Sequence, residues 1–496
     1  MAVAVAIGAV VRFVDIGAQS YSMDELWEFT IVRLPAGEIV GIGDGFPPLF
    51  HLIFRSMFVG GLGDFSARVL SGVLGVLTVW LAGRLGRRID PRLGTGAAFA
   101  VAVAPLLVLL SKEARAYGLF ILLATLLLVA TWDVIDTGDK RSWAGFIAVS
   151  ALGMYTHYMF ALAIASAELV VLWNLRRDRT RLTQWLFAHG ILAVLLVPLV
   201  MVAFADFELD AANDYSRTVD LSAIGYAGLS LFTGMTLGPS TRALHTMGTM
   251  EAIRSSLPWM IIIGVPAAYL LVAGWRALST QWRLRLGIPL VVPIVLLTVF
   301  SAVVGTAFRV RYLSWLTIPL VIWLVAGYVN SGGRLRHFAA ATLVLMAFTA
   351  MITRVTIDDY RVEDARGAAG YIADHPTTPA VAMAWYMTRP IEYYMDLDSA
   401  TYLPEDEGWG RFDYHEQLES RIVPIPSLDV ADPTLTEQSL VFDAAVSLGE
   451  EYLFVRSREF HADENGRYFE QRAAVDGLEP VADFAGITIY KGVRGR

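Results

Sequence analysis

The 496-residue sequence contains no cysteine, and its only lysines are Lys112, Lys140 and Lys491. The absence of cysteine excludes disulfide bridges, thiolate metal sites, S-palmitoylation and cysteine catalysis. Charged residues make up only 17% of the chain, whereas hydrophobic residues make up 55% and the mean hydropathy is +0.53. A water-soluble fold of this length has too little interior for so much apolar surface. The composition therefore indicates an integral membrane protein.

Acidic residues are concentrated at the C-terminal end of the chain. From Arg354 onward there are 27 Asp and Glu residues against 13 Lys and Arg residues, although the net charge of the whole chain is only −8. The part before Arg354 is therefore weakly basic. We predict a membrane domain over 1–355 and an acidic soluble domain over 356–496.

Eleven apolar segments are candidates for membrane-spanning helices. They are 1–17, 66–84, 93–110, 116–134, 142–155, 157–175, 185–204, 257–275, 286–305, 311–329 and 337–353. The first segment lacks a basic start and an obvious cleavage site, so we interpret it as a span and not as a cleaved signal peptide. The short segments 142–155 and 157–175 also fit a single broken or tilted pair.

Arginine and lysine residues occupy every second loop of this plan. The five basic loops follow the second, fourth, sixth, eighth and tenth spans, so all of them lie on one side, which the positive-inside rule makes cytoplasmic. The opposite side receives 17–65, 111–115, the junction at Thr156, 206–257, 306–310 and the C-terminal domain. Within the first of these, 46–60 is interrupted by Pro47 and Pro48 and predicts an amphipathic helix at the membrane interface.

The C-terminal domain has the pattern of a small α/β domain. We predict helices over 362–374, 389–396 and 466–474 and strands over 380–385, 452–455 and 487–491, in a mostly parallel sheet. No glycine-rich phosphate loop is present in it. The predicted fold class is an α-helical polytopic membrane protein of about 11 transmembrane helices with a small extracytoplasmic α/β domain.

Five polar features fall on the non-cytoplasmic side. They are Asp24-Glu25, the run Lys112-Glu113-Ala114-Arg115, the run Tyr155-Thr156-His157-Tyr158, the run Arg309-Val310-Arg311-Tyr312, and His51 with Arg55. Solvated acids, helix-capping ion pairs and side chains that face lipid head groups are the ordinary alternatives. Positive charge is disfavoured on this side, so the arginines at 309 and 311 indicate an anionic partner. Together, carboxylates beside arginines suit a site that deprotonates a hydroxyl and releases a phosphate.

These motifs resemble the GT-C superfamily of membrane glycosyltransferases. The resemblance rests on Asp24-Glu25 after the first span, on Phe46-Pro47-Pro48-Leu49-Phe50-His51 with Gly63-Asp64-Phe65-Ser66-Ala67-Arg68, and on the runs 113–117 and 155–158. It covers 1–355 and favours the branch of protein O-mannosyltransferases and lipid A aminoarabinose transferase. The chain lacks the His-Phe before the acidic pair and the long inserted luminal domain of the O-mannosyltransferases, which puts a protein Ser/Thr acceptor in doubt.

The resemblance implies sugar transfer with inversion from a polyprenyl- or dolichyl-phosphate donor. Asp24 matches the general base that acts on the acceptor hydroxyl, and Glu25 would shape that site. Glu113 matches a second acidic position, near the reacting sugar or near a divalent cation where relatives use one. The cation is left open, and no other cofactor is implied. The residues expected to contact the donor phosphate and sugar are Lys112, Arg115, Arg309, Arg311, Tyr312, His157, Tyr158 and His51.

The expected partners are the lipid-linked donor, a glycan or glycolipid acceptor and membrane lipids, with no nucleic acid. We expect a multi-pass protein of the cell membrane with its active site and C-terminal domain outside the cytoplasm. The acidic tail and the arginine bias favour an archaeal surface enzyme, and mannosyl transfer to an S-layer glycan is the specific hypothesis. A transporter or lipid flippase is the main alternative, although the two halves show no repeat symmetry. A membrane-anchored sensor has little need of eleven spans.

Overall fold

The computed structural model describes residues 1–41, 46–62, 65–205, 221–247, 249–304, 308–395, 422–425, 442–458, 463 and 466–495. The chain forms two compact units. The helical unit comprises Met1–Ile16, Ile31–Gly238 and Thr249–Ile352, and the sheet unit comprises Gly17–Thr30, Pro239–Gly248 and Thr353–Arg496. Two short segments that precede the C-terminal region in sequence thus belong to the unit that contains it.

Helices dominate the described part of the chain. The α-helices are α1 (Ala2–Phe13), α2 (Met23–Ile31), α3 (Ala36–Gly41), α4 (Leu49–Met57), α5 (Phe65–Ile89), α6 (Leu93–Ala102), α7 (Pro105–Leu110), α8 (Tyr117–Asp136), α9 (Lys140–Met154), α10 (Phe160–Leu175), α11 (Arg179–Ala205), α12 (Leu221–Thr233), α13 (Thr241–Thr246), α14 (Thr249–Ala277), α15 (Thr280–Val304), α16 (Thr317–Asn330), α17 (Leu335–Thr356), α18 (Ala365–Ala373), α19 (Thr388–Tyr394) and α20 (Arg467–Asp476). A π-helical turn follows α4 at Phe58–Leu62, and 3₁₀ helices occupy Val310–Leu316, Asp358–Tyr360 and Trp385–Met387.

Each predicted span coincides with a helix or with two consecutive helices. Seven helices of the described chain are long and apolar enough to cross a membrane. They cover Phe65–Ile89, Tyr117–Asp136, Arg179–Ala203, Met250–Ala277, Thr280–Val303, Val310–Asn330 and Leu335–Thr356. The other four predicted spans correspond to the shorter helices α1, α6 with α7, α9 and α10. The helical multi-pass fold is confirmed, and the count of eleven spans stays a prediction.

The predicted span 93–110 is broken between α6 and α7. Pro105 begins α7 and has no backbone N–H, and Ala104 before it is extended. The carbonyls at the end of α6 therefore need other donors. Arg12 of α1 supplies them: its Nη1 donates to the carbonyl of Ala102 at 3.0 Å and its Nη2 to that of Val101 at 3.2 Å. The fully buried guanidinium of Arg12 thus satisfies two carbonyl groups at the end of α6.

Ion pairs join three helices next to the loops predicted to be cytoplasmic. Arg88 at the end of α5 contacts Asp133 at 2.5 Å and Asp136 at 2.8 Å, both near the end of α8. Arg285 of α15 contacts the second oxygen of Asp136 at 2.6 Å, and its side chain is only 1% exposed. Each of these charges therefore has an opposite charge within contact distance, which offsets part of the cost of holding it beside apolar helices.

The sheet unit contains a five-stranded mixed sheet. Its strands are β1 (Ala380–Met383), β2 (Ile422–Ile425), β3 (Glu451–Ser457), β4 (Glu479–Phe484) and β5 (Ile487–Val493), in the order β2-β1-β3-β5-β4. β1 pairs in parallel with β2 and β3, whereas β5 pairs antiparallel with β3 and β4. The expectation of a mostly parallel sheet was wrong, because β4 and β5 form a hairpin whose turn contains Gly486 at φ 69°.

The predicted elements of this region otherwise have counterparts. The helices 362–374 and 466–474 correspond to α18 and α20, and the strands 380–385, 452–455 and 487–491 correspond to β1, β3 and β5. The helix 389–396 corresponds to α19, which ends at Tyr394, and residue 396 lies outside the described residues. β4 was missed because it begins Glu479-Pro480 and its side chains are mostly exposed, so it lacks an apolar run.

Candidate functional site

Nine of the eleven candidate site residues lie in the helical unit, and a cluster forms around one aromatic ring. We call it the Tyr117 cluster, and its members are Phe46, Glu113, Arg115, Tyr117, Phe120, His157, Arg311 and Tyr312. They come from the segment before α4, the α7–α8 loop, the start of α8, the α9–α10 junction and the 3₁₀ helix Val310–Leu316. Leu49 at the start of α4 donates its N–H to the carbonyl of Tyr155 at 2.9 Å, which ties two of these segments together.

Glu113 and Arg311 form an ion pair between the α7–α8 loop and the 3₁₀ helix. Nη2 of Arg311 lies 3.5 Å from Oε1 of Glu113, and the two side chains are 28% and 14% exposed. This distance is long for a charge-assisted hydrogen bond, which usually measures about 2.7–2.9 Å. The other oxygen of Glu113 is buried and accepts no hydrogen bond from the residues that the structure describes. A hydroxyl donor of a ligand would satisfy it.

Two guanidinium groups approach the ring of Tyr117, the first residue of α8. The guanidinium carbon of Arg115 lies 5.5 Å from the ring centre and that of Arg311 lies 5.6 Å from it. Arg115 is buried and also stacks over Phe46 at 5.0 Å. Cation–π contacts offset part of the cost of holding two positive charges together. An anion of a ligand would offset more of it, so this is the strongest candidate for an anion site in the helical unit.

His157 is enclosed by aromatic rings at the α9–α10 junction. Its ring centre lies 5.2 Å from those of Phe46, Phe120 and Tyr312, and 5.8 Å from that of Tyr117. The Nδ1 atom accepts a hydrogen bond from the N–H of Met159 at 3.1 Å. That contact assigns the proton to Nε2.

The Nε2–H group of His157 has no other use in the described chain. The side chain is 4% exposed, and Nε2 finds no hydrogen-bond acceptor among the described residues. A buried donor left without an acceptor is costly, so it is usually explained by a bound ligand or a functional role. His157 therefore presents one directed N–H group to whatever enters the Tyr117 cluster.

The remaining candidates of the helical unit are arranged around this cluster in different ways. Nζ of Lys112 donates to the carbonyl of Val14 at 2.8 Å, at the end of α1, and burial lowers the pKa of the Lys112 ammonium. Arg309 is exposed and precedes the 3₁₀ helix as its N-cap. His51 is buried in α4, and Tyr158 is half-buried next to His157. The structure therefore brings Arg115, Arg311, His157 and Tyr312 together with Glu113 more closely than it does the others.

Asp24 and Glu25 lie in the sheet unit, in the first turn of α2. Oε2 of Glu25 accepts hydrogen bonds from the backbone N–H of Ser22 at 3.0 Å and from its hydroxyl at 3.2 Å, while Ser22 Oγ accepts from the N–H of Glu25 at 3.4 Å. This reciprocal arrangement is a capping box, and Glu25 is only 1% exposed. Asp24 points outward and is exposed.

A divalent cation was left open for Glu113. Within the described ranges, no three His, Asp or Glu side chains come together as a set that could hold a metal ion. Glu113 is instead paired with Arg311. The described residues therefore provide an ion pair at this position.

Some members of the site were not identified from the sequence. Phe120 is an ordinary apolar residue of α8 by pattern, and only the fold places its ring against His157. Arg12 carried a usable signal, because an arginine within the first apolar segment needs several acceptors. Nε of Arg12 donates to the hydroxyl oxygen of Ser111 at 3.2 Å, and Ser111 directly precedes Lys112 in the α7–α8 loop. Gly63 and Asp64, which begin the motif 63–68 quoted for the family resemblance, lie outside the described residues.

Comparison with known proteins finds a family model that matches part of the chain and solved structures with a similar fold. A family model described as dolichyl-phosphate-mannose-protein mannosyltransferase matches residues 46–203. No curated protein matches the chain. The chain is similar to the crystal structure of apo ArnT from Cupriavidus metallidurans, with 14% sequence identity, a TM-score of 0.55 and coverage of 99% of this chain and 97% of ArnT.

A second similar structure is the archaeal oligosaccharyltransferase AglB from Archaeoglobus fulgidus, in complex with an inhibitory peptide and a dolichol-phosphate. It shares 11% sequence identity and has a TM-score of 0.50, with coverage of 95% of this chain and 70% of AglB. At such identities the likeness shows the fold. The fold is that of the GT-C membrane glycosyltransferases, so the resemblance that the motifs indicated is confirmed at that level.

Proposed function

We propose that this protein is a membrane glycosyltransferase that moves a sugar from a polyprenyl- or dolichyl-phosphate donor to a hydroxyl group of a surface glycan. The observation that carries the proposal is the Tyr117 cluster, in which two arginines, a carboxylate and a directed imidazole N–H converge in a GT-C fold. The family model that matches 46–203 is named for a dolichyl-phosphate-mannose donor, and AglB was solved with a dolichol-phosphate. Both support a lipid-phosphate donor.

The four candidate cations of the helical unit, which are Lys112, Arg115, Arg309 and Arg311, are assigned to the donor phosphate. Arg311 and Arg115 share the ring of Tyr117, so a phosphate between them would receive charge-assisted hydrogen bonds from both. The phosphate gains negative charge as the bond to the sugar breaks, and preorganised cations lower the free energy of that transition state. Lys112 and Arg309 are assigned a weaker, longer-range role, since Lys112 already binds a carbonyl and Arg309 is exposed.

The polar groups beside these cations are assigned to the sugar. The buried Oε2 atom of Glu113 can accept a hydrogen bond from a sugar hydroxyl, and Nε2–H of His157 can donate one to a sugar or phosphate oxygen. Phe46, Phe120 and Tyr312 enclose the imidazole and exclude water from that side. His51 and Tyr158 are assigned to the support of these groups, because His51 is buried in α4 and Tyr158 follows His157.

Asp24 is assigned as the general base on the acceptor. Its exposed carboxylate would take the proton of the acceptor hydroxyl while the hydroxyl oxygen attacks C1 of the sugar. The bond between C1 and the phosphate oxygen breaks, the electron pair leaves with the lipid phosphate, and the configuration at C1 is inverted. Glu25 is given a structural role in this reaction, because its carboxylate is engaged by Ser22.

The finer assignments follow from the same observations. The name of the matching family model supports mannose as the sugar, and the acidic C-terminal region supports a salt-adapted archaeal surface enzyme that acts on an S-layer glycan. The positive-inside rule supports an extracytoplasmic location for the site and for the sheet unit. A divalent cation is not required by these roles.

The test is sugar transfer by the purified full-length protein in detergent. A polyprenyl-phosphate donor with a radiolabelled mannose is incubated with a glycan acceptor, and transfer to the acceptor is measured. We expect Asp24→Asn to abolish transfer without loss of expression or thermal stability. Asp374→Asn is the matched control, because Asp374 is an exposed acid at the end of α18 in the same unit.

The outcomes separate the candidate functions. Transfer in detergent, where no compartments exist, supports an enzyme and contradicts a transporter or flippase. Full activity of Asp24→Asn would remove Asp24 as the base. No transfer from any polyprenyl-phosphate sugar, with a folded protein, would overturn the proposed function itself.

A further inference from the structure

The 3₁₀ helix that carries Arg311 sorts its side chains into rows. A 3₁₀ helix has 3.0 residues per turn, so side chains three positions apart lie above one another. One row is apolar and buried, and its members are Val310, Leu313 and Leu316. Another row is polar, and its members are Arg311, Ser314 and Thr317. We call this second set the polar row. Its last member is the first residue of α16 and keeps a helical backbone, with φ −54° and ψ −31°.

The polar row begins at the candidate site. Nη2 of Arg311 lies 3.5 Å from Oε1 of Glu113, and the same guanidinium lies 5.6 Å from the ring centre of Tyr117. Because a 3₁₀ helix rises about 2.0 Å per residue, Ser314 lies roughly 6 Å farther along the helix and Thr317 roughly 12 Å. Ser314 is 0% exposed and Thr317 is 1% exposed. The row therefore leads from the ion pair into the interior of the helical unit.

The two hydroxyl groups of the polar row have no partner in the described chain. Neither Oγ of Ser314 nor Oγ1 of Thr317 makes a hydrogen bond with any residue that the structure describes. A hydroxyl in a helix usually donates to a carbonyl three or four residues earlier, as Thr125 of α8 does to Ile121 at 2.7 Å. A buried hydroxyl without a partner is costly, so it is explained by a ligand or by ordered water.

The helices around the 3₁₀ helix contribute further hydroxyl groups of this kind. α8, α12, α15 and α16 pack against it. Ser230 in the last turn of α12 and Ser301 near the end of α15 are both buried. Within the described ranges, Oγ of each also lacks a hydrogen-bond partner. One such group is compatible with imperfect packing, whereas unpartnered hydroxyls on three elements that pack together indicate a common polar ligand.

The chemistry of the polar row fits a sugar. In a lipid-phosphate donor the phosphate is bonded to C1 of the sugar, so the sugar hydroxyls lie close to the phosphate that Arg311 is assigned to bind. A hydroxyl group both donates and accepts hydrogen bonds, and Ser314 and Thr317 therefore match the hydroxyls of a sugar. A polyprenyl chain has no polar atoms to offer. Beyond Arg311 the row is uncharged, which suits neutral hydroxyls better than a second phosphate.

We propose that Ser314 and Thr317 recognise hydroxyl groups of the donor sugar. The inference rests on the proposed function, in which Arg311 binds the donor phosphate, and it adds residues that select the sugar. It also names the class of sugar, which is one with its hydroxyl groups intact. A deoxy sugar would leave the buried hydroxyls of the protein without partners, and such sites discriminate strongly against the analogue that lacks the group.

The test compares donors that differ by one hydroxyl group. The purified full-length protein in detergent is assayed with polyprenyl-phosphate mannose and with analogues that each lack one sugar hydroxyl. The wild type should show a kcat/KM about tenfold or more higher for the intact donor than for at least one analogue. In the variant with Ser314→Ala and Thr317→Val, kcat/KM for the intact donor should fall to about that of this analogue. Binding of the sugar-free polyprenyl phosphate should not change, since Arg311 is retained.

Thermal stability distinguishes a ligand contact from a structural one. Removing a buried hydroxyl that has no partner breaks no hydrogen bond, so the double variant should be at least as stable as the wild type. Thr317→Ser keeps a hydroxyl and should keep most of the selectivity. Ser314→Ala alone gives a second measurement if the double variant does not fold.

Ser150→Ala is the matched control. Ser150 lies in α9, which packs against α8 and α11, and its side chain is 0% exposed. Its hydroxyl likewise finds no partner among the residues described. The substitution, the burial and the unpartnered hydroxyl are therefore the same as at Ser314. Ser150→Ala should retain stability and leave the selectivity between donors unchanged.

A loss of selectivity in a stable double variant, with the control unaffected, would support the role of Ser314 and Thr317. Unchanged selectivity in that variant, with an active wild type, would overturn the role, assign the two hydroxyls to buried water and leave the proposed function standing. A clear loss of thermal stability would identify both groups as structural and would also contradict the role. A wild type that transfers no sugar from any donor would instead overturn the proposed function.

Discussion

Nη2 of Arg311 lies 3.5 Å from Oε1 of Glu113, and the same guanidinium lies 5.6 Å from the ring centre of Tyr117. The positive charge of Arg311 thus contacts both a carboxylate and the face of an aromatic ring, and its side chain is largely shielded from solvent. Arg309, two residues earlier, is exposed at the start of the 3₁₀ helix. Two arginines that are equivalent in the sequence motif therefore occupy different environments.

The first prediction compares these two arginines. Arg311→Gln should weaken binding of a dolichyl or undecaprenyl phosphate about tenfold or more, because a shielded charge-assisted hydrogen bond is lost. Arg309→Gln should weaken it by less, since water and salt screen an exposed charge. Binding is measured by the change in tryptophan fluorescence of the detergent-solubilised protein at two salt concentrations. Equal losses for the two variants would contradict the assignment of Arg311 to the phosphate.

The second prediction concerns the directed N–H group of His157. Glutamine places an amide N–H near the position of Nε2, whereas asparagine places an acceptor near the position of Nδ1 and keeps the hydrogen bond to Met159. His157→Gln should therefore retain part of the transfer activity. His157→Asn should fold well and lose about tenfold or more in kcat/KM, since a directed donor is absent.

Thermal unfolding and transfer assays on both histidine variants separate the two roles. If His157→Asn were as active as the wild type, the Nε2–H group would have no part in the reaction. If His157→Asn were inactive and unfolded, the hydrogen bond to Met159 would be insufficient to hold the junction.

The third prediction separates the two acids that follow the first span. Glu25 closes a capping box with Ser22, and glutamine at the same position can make the same backbone contact. Glu25→Gln should therefore keep most of the activity, while Glu25→Ala should lower the free energy of unfolding by about 1 kcal/mol. Asp24→Asn, one residue earlier, should be inactive and stable. Loss of all activity in Glu25→Gln would return Glu25 to a direct catalytic role.

The sequence predicted the helices well because membrane spans are long apolar runs with few alternatives. It also predicted that Glu113, Arg311 and His157 would lie on the same side. It did not predict that Glu113 pairs with Arg311 while Lys112 binds the end of α1, because side-chain direction in a short loop depends on neighbouring helices. Topology alone assigns a residue to a side of the membrane, but it does not predict which side chain or carbonyl group that residue will contact.

The C-terminal region was harder to predict for a different reason. The mixed sheet depends on β4, whose exposed and polar side chains carry no strand pattern. The assignment of 17–30 to the sheet unit depends on contacts across more than three hundred residues of sequence, such as Ser20 with Asp364 and Tyr21 with Tyr394. The sequence around Ser20 and Tyr21 contains no local pattern that predicts such a contact.

The fourth prediction tests the packing of Arg12 against Ser111, the residue that precedes Lys112 in the α7–α8 loop. A Cβ atom at Gly75 of α5 would lie 2.3 Å from Oγ of Ser111 and 2.6 Å from Nε of Arg12. Gly75→Ala should therefore break the bond between Arg12 and Ser111 and lower the free energy of unfolding by about 1–3 kcal/mol. Gly190→Ala in α11 is the control, because a Cβ there meets nothing within 4 Å. Equal thermal stability of the two variants in detergent would show that the Arg12 contact is dispensable.

The fifth prediction is the pH dependence of the stability of the sheet unit. Burial would raise the pKa of Glu363, but Arg458 overrides it and holds that pKa below its ordinary value of 4.5. A carboxyl group whose pKa is lower in the folded state stabilises that state above the unfolded pKa, and the stabilisation is lost as the pH falls through the lowered value. Wild-type thermal stability should therefore fall more steeply below about pH 4.5 than that of the variant with Glu363→Gln and Arg458→Asn. Circular dichroism melts of both proteins in detergent from neutral to acidic pH measure this difference, in which the titration of the other carboxyl groups cancels. Parallel curves would mean that the ion pair between Glu363 and Arg458 contributes nothing to the stability of the folded state.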